Sequence, residues 1–401
     1  MRKLAMITLL LLLMVAVSGV SAQAGMSGLH FCGDLSESDC TLYLSAQNAM
    51  LDLESASFDL DMNFTVNNIA PEMKEMSFNF GMDGAYMVDA EALRQLYEMA
   101  QTNPAAFAGD LEAISTMMQD MLRATSADIT ITIDLPEELL NEFAMSGEPA
   151  IPGEISFDAV MVDGVGYINL DNLAPLDPNG DIPSGWHGAD LADLVDRGFA
   201  MMSAFMPQMD EADIDPEAFT AFTDPDVLSE FMSIERVEDA ELNGEPVAVF
   251  LTTFDYAAFF SNPAIREMMR AQMAAQMNMM GMGEEMNEID LDTMLEAQAA
   301  MFEGAELQIW QSIGLDTPYL YQSDMTLDWY MNMAAFAELD DMGSMDSDDM
   351  PTPHINFSAT MTVDDFNAVE PITAPEGARL YTFQELFSSM GALDPSTAAT
   401  F

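Results

Sequence analysis

From Ser55 to Val66 the chain alternates without a break. Phe58, Leu60, Met62, Phe64 and Val66 are apolar, and Ser57, Asp59, Asp61, Asn63 and Thr65 between them are polar. Successive side chains of an extended strand point to opposite faces, so this pattern describes a strand with one buried and one wet face. Strands of that kind belong to antiparallel sheets, because parallel sheets are covered on both sides. The same grammar predicts strands over residues 76–88, 128–134 and 155–170. In the second half it predicts strands over 232–240, 245–254, 305–313, 319–331 and 354–364. Asn243-Gly244 is a hairpin turn signal, since both residues tolerate positive φ. Asp83-Gly84 and Asp163-Gly164 read the same way, each set between short strands in a shared Ser-Phe…Asp-Gly…Tyr grammar. About ten strands without regular strand–helix alternation give an α+β fold with a large antiparallel sheet.

Between the strands the period changes to 3.6. A short helix is expected over residues 42–53. Leu93, Leu96, Tyr97 and Ala100 mark a second helix, and Leu111, Ile114, Met118 and Met121 a third, with Asn103-Pro104 as the break. A further helix carries Leu191, Leu194, Val195, Gly198, Met202 and Phe205 on one face. Residues 171–185, rich in Pro, Gly and Asp, read as a loop, and so does the acidic stretch 338–349.

The first residues have the order of a secretory signal. Arg2 and Lys3 precede an apolar run from Leu4 to Val17, and small residues follow at Ser18, Gly19, Ser21, Ala22 and Ala24. Cleavage is expected after Ala22 or Ala24. The run of about 14 residues is short of the roughly 20 needed to span a bilayer, so an exported, soluble chain is expected. Lipid attachment through Cys32 is not expected, because Phe31 stands where that processing requires a small residue. Cys32 and Cys40 are the two cysteines, and an even count in an exported chain predicts a disulfide. The expected organisation is a signal peptide (1–22) and an N-terminal segment with the cysteine loop (23–54). A single domain (55–387) with a methionine-rich helical insert (262–302) follows, and then a flexible tail (388–401).

The formal charge is −59, and Lys3 and Lys74 are the only lysines. Self-repulsion on this scale favours a monomer and demands counter-cations for screening. It excludes nucleic acid and anionic membrane surfaces as partners. With 50% hydrophobic residues the chain is nevertheless a folding one.

Raw material for most catalysis is missing. The three histidines, His30, His187 and His354, are far apart, with no metal-binding helix motif, nucleophile elbow or phosphate loop. Each reads as a surface or packing residue, and His354, after Pro351-Thr-Pro353, suits a loop position. No enzyme activity and no cofactor are expected. Asp177-Pro-Asn179-Gly-Asp181 has calcium-loop spacing, but the twelfth position is Gly188, so it is no EF-hand.

There are 39 methionines. Met277, Met279, Met280, Met282 and Met286 could offer thioethers to Cu(I). Against that, Ile265, Met269, Met273, Met277 and Met280 form one apolar helical stripe that needs no metal. Flexible, polarizable methionines also suit a surface that accepts irregular apolar ligands.

Several segments resemble the LolA/LppX-type superfamily of exported bacterial lipid and lipoprotein carriers. They are the helix running into Ser55-Ala-Ser-Phe58, the hairpin from Arg236 to Phe250 around Asn243-Gly244, and Leu307-Gln-Ile-Trp310 with Tyr319-Leu-Tyr321. The finish from Ile355-Asn-Phe-Ser358 through Asp365-Phe-Asn367 to Ile372-Thr-Ala-Pro375 is similar as well. The resemblance spans roughly residues 42–380. It implies a curved, unclosed half-barrel whose concave face, covered by helices, holds acyl chains. This chain departs from the pattern in its missing lipidation cysteine, its longer methionine-rich insert and its greater acidity. On this basis it is expected to be a non-enzymatic binder of an apolar or lipid-like ligand. The candidate contacts are Phe199, Met202, Phe205 and Met206 on one helix and Met269, Met273, Met277 and Met280 on another. The alternatives are metal handling, by Cu(I) at residues 277–286 or calcium on acidic loops, and a structural module of the cell exterior.

Overall fold

Alternating segments have one face to bury, and here they bury it together. In the computed structural model all strands join one 12-stranded sheet. The structure describes residues 31–70, 73–95, 111–136, 140–141, 152–174, 182–205, 225–270, 291–332, 352–382 and 385.

The chain begins with α1 (Glu37–Leu51), capped by Ser36, whose hydroxyl accepts from the Asp39 amide. A first meander follows: β1 (Ser55–Ala70), β2 (Met73–Val88), α2 (Leu111–Ala124), β3 (Thr125–Asp134), β4 (Glu154–Val162), β5 (Val165–Asn169) and β6 (Trp186–Asp190). After α3 (Leu191–Phe205) and α4 (Pro225–Leu228) a second meander is built. It consists of β7 (Met232–Leu242), β8 (Glu245–Asp255), α5 (Tyr256–Ser261), α6 (Leu291–Met301), β9 (Glu306–Gly314), β10 (Leu320–Tyr330) and β11 (His354–Asp364). Residues 263–270 are also helical. The meanders join where β11 pairs antiparallel with β1. The last strand, β12 (Arg379–Tyr381), pairs parallel with β6. The edges are β12 and β7, and the sheet stays unclosed.

Helices cover one face of this half-barrel from both wings. Over β1–β6, Leu122 of α2 and Leu191 and Val195 of α3 pack on Phe58, Met82, Ile129, Ile131, Phe157 and Ile168. Over β7–β10, Tyr43 and Ala46 of α1, Leu228 of α4 and Ile265 pack on Ile234, Ala248, Phe250, Ile313 and Leu320. A smaller group, Leu53, Ala56, Met361 and Val363, bridges them at the junction. The other face carries polar pairs. There Thr130 donates to Asp158 at 3.2 Å and Thr360 to Asp324 at 2.7 Å.

Two expectations are corrected. Asp83-Gly84 is not a turn, because β2 runs unbroken through it. Gly84 lies between Phe58 and Ile129 in the ladder. A Cβ placed there would stand 2.2 Å from the Asp128 carbonyl oxygen, so the glycine serves close backbone approach. Asp163-Gly164 does turn, with φ of 51° and 78°, as does Asn243-Gly244 with 54° and 90°. His354 opens β11, at the start of the strand expected over 354–364. It stacks on Tyr330 with centroids 3.8 Å apart and meets Asp328 at 2.9 Å. Strands β6 and β12 escaped the pattern reading, being too short for alternation to register. His187 on β6 is buried; one ring nitrogen meets Tyr381 Oη at 3.1 Å and the other the Ser184 carbonyl at 2.9 Å.

Candidate functional site

The helix-covered face is longer than the cores that occupy it. Beyond Leu60, β1 continues to present Met62, Phe64 and Val66 on the same side. Directly paired residues of an antiparallel ladder share a face, so the register extends these positions into rows. Phe64 is flanked by Phe78 on β2 and Phe357 on β11, Phe357 by Leu327 on β10, and Leu327 by Leu307 on β9. One step towards the cores, Met62 stands between Phe80 and Ala359, and Ala359 beside Met325. One step the other way, Val66 stands between Met76 and Ile355, and Ile355 beside Trp329.

The central row, Leu307, Leu327, Phe357, Phe64 and Phe78, belongs to none of the three cores. Phe64 is 37% exposed and the other four are part-buried. From strand spacing and rise, the three rows cover about 19 Å across strands and about 13 Å along them. An aromatic wall bounds one side. Trp329 stacks on Phe302 with centroids 4.4 Å apart and planes 7° apart, and its indole N–H donates to the Met301 carbonyl at 2.8 Å. Phe302 in turn stacks on Phe260 of α5 at 4.9 Å. Such a surface can hold extended hydrocarbon by burial.

The opposite face sets the electrostatics. Asp59 lies directly across from Asp83. Partial burial pushes the Asp59 carboxyl up, and Asp61 and Asp83 add to this. Burial likewise raises Asp128, with Asp158 contributing. Asp39 is held below the usual carboxylate range by its hydrogen bond to Ser36 and then by Arg236. That arginine also bonds Asp239 and ties the start of α1 to the β7 edge.

Of the helical residues expected at the site, Phe199 packs against the core over β1–β6 and Met269 against the core over β7–β10. Met202 and Phe205 continue α3. Met206, Met273, Met277 and Met280 lie outside the described residues, as do the methionine cluster 277–286 and the loop Asp177–Asp181. Cys32 and Cys40 form the expected disulfide. No helix among the described residues is long and apolar enough to cross a membrane. The sheet rows were missed as a site although each strand was read. Alternation shows which residues share a face but not which neighbours cover it.

No family model matches the chain, and no curated protein matches it. Solved structures do. LprF from Mycobacterium bovis is 10% identical, over 85% of this chain and 99% of that one, with a TM-score of 0.30. The lipoprotein LppX from Mycobacterium tuberculosis is 8% identical, over 83% and 97%, with a TM-score of 0.28. A LolA superfamily protein from Nitrosomonas europaea is 8% identical, over 84% and 94%, with a TM-score of 0.14.

Proposed function

We propose that this chain is an exported, non-enzymatic binding protein that carries an apolar or lipid-like ligand on the inner face of its half-barrel. The observation that carries the reading is the row Leu307, Leu327, Phe357, Phe64 and Phe78. Five large apolar side chains stand side by side on the helix-covered face, and none is absorbed by a core. A contiguous apolar area of that size on one protein marks a binding surface. Phe199, Met202, Phe205, Met206 and the stripe Met269, Met273, Met277 and Met280 would supply the adaptable helical side of the same site.

The test is native mass spectrometry of the protein purified without detergent from a bacterial periplasm, followed by organic extraction. The expected result is a co-purifying small-molecule mass that leaves with the solvent. A protein of bare sequence mass that also fails to take up a neutral apolar dye would overturn the reading.

A further inference from the structure

The inner face is not apolar throughout. One row nearer the cores than Met325, Ser323 on β10 pairs with Gln311 on β9; in Met325's own row, Ile309 on β9 pairs with Thr252 on β8. Helix α1 packs over β9 and β10. It brings Tyr43 and Gln47, one turn apart on its sheet side, to the same place. Tyr43 Oη donates to Gln311 Oε1 at 3.0 Å. Burial raises the Tyr43 phenol, while Thr252 and Gln47, beside the phenol but outside hydrogen-bond geometry for Thr252 Oγ1 and Gln47 Oε1, work in the opposite direction. Yet Thr252 Oγ1 and Gln47 Oε1 are themselves buried without a hydrogen-bond partner. Thr252 is only 8% exposed. Buried polar groups are nearly always paired, and an orphan is costly to keep. Two orphans converging at the end of an open apolar surface point to a group supplied from outside.

We infer that Tyr43, Gln47, Thr252, Gln311 and Ser323 form a head-group subsite for a neutral, hydroxyl-bearing amphiphile whose hydrocarbon lies along the rows of Met325 and Leu327. The inference rests on the reading of those rows as a ligand surface. A hydroxyl both donates and accepts, so it serves Gln47 Oε1 and Thr252 Oγ1 together, whichever way the Gln47 amide is turned. A hydrocarbon or a simple ester brings no donor and leaves the Gln47 carbonyl unpaired. A carboxylate or phosphate would set a charge among neutral side chains. The cation of the same row, Arg236 beside Phe250, is engaged by Asp39 and Asp239.

The experiment uses the full chain with Nile red bound, displaced by three competitors of equal chain length kept below micelle formation. They are monolauroylglycerol, methyl laurate and laurate. Monolauroylglycerol should displace the dye at about tenfold lower concentration than methyl laurate, the worth of one buried hydrogen bond. In Thr252→Val and in Gln47→Met that ratio should fall towards unity. The two variants are independent, so a folding failure of one leaves the other, with circular dichroism as the control. Equal displacement by glyceride and ester, best displacement by laurate, or a ratio that survives both substitutions overturns the head-group subsite alone. Absence of dye binding, or of displacement by any competitor, overturns the apolar-surface reading together with it.

Discussion

Replacing Phe64 by alanine separates a binding surface from a core. Phe64 is 37% exposed and lies outside every core cluster. A phenylalanine offers roughly 200 Å² for burial, so about 75 Å² of it stays open to a ligand. At about 25 cal/mol per Å² that area is worth about 1.9 kcal/mol of binding, or about 20-fold in affinity. The loss of fold stability should stay below about 2 kcal/mol, because the side chain leaves no enclosed cavity. Phe250→Ala is the contrast, since Phe250 is 0% exposed at the centre of the β7–β10 core. It should cost about 3–5 kcal/mol of stability. The assays are dye binding, read as Kd, and urea denaturation. If Phe64→Ala binds dye within twofold of the parent protein while losing stability on the Phe250 scale, the row is core and the argument fails.

Three other outcomes follow from particular residues. Gly84→Ala should lose about 3 kcal/mol in denaturation, because the new methyl meets backbone that cannot move aside. Gly81→Ala, with nothing nearer than 3.8 Å, should stay within about 0.5 kcal/mol. The raised carboxyls of Asp59 and Asp128 contribute stability below their ordinary pKa and lose it as pH rises through the raised values. Thermal stability should therefore increase as pH falls through the raised values towards the ordinary carboxylate pKa, and Asp59→Asn should gain about 0.5 kcal/mol at neutral pH and flatten that rise. Asp39, with its lowered carboxyl, acts in the other sense, losing its contribution only as pH falls through its depressed value. Removing both cysteines opens the loop between positions 32 and 40 and should cost about 2.5 kcal/mol by loop entropy, read as a lower melting temperature. No change would mean that Phe31 and Tyr43, both buried in the adjoining core, hold the segment unaided.

The comparison of two Asp-Gly pairs shows where local reading stops. Asp163-Gly164 and Asp83-Gly84 look alike in the sequence, yet one closes a hairpin and the other lies within a 16-residue strand. What distinguishes them is β3, whose Asp128 carbonyl crowds Gly84 from across the sheet. Only the pairing of β2 with β3 brings that strand there.

The sequence by itself determined the long strands of the sheet. Apolar and polar side chains alternate along β1, β3 and β8 because a strand has two faces, and that property is carried by neighbouring residues. It also determined the hairpin at Asn243-Gly244, whose backbone needs are local. The tertiary structure alone decided which apolar positions became core and which stayed open. Phe58 and Phe64 occupy the same face of the same strand, but among the described residues α2 and α3 pack into the core around the first, while Phe64 belongs to no core cluster. It likewise decided that Tyr43 would meet Gln311, separated by 268 positions in the chain. Coverage of a face depends on where helices from distant segments come to rest, and no periodicity within a strand encodes that.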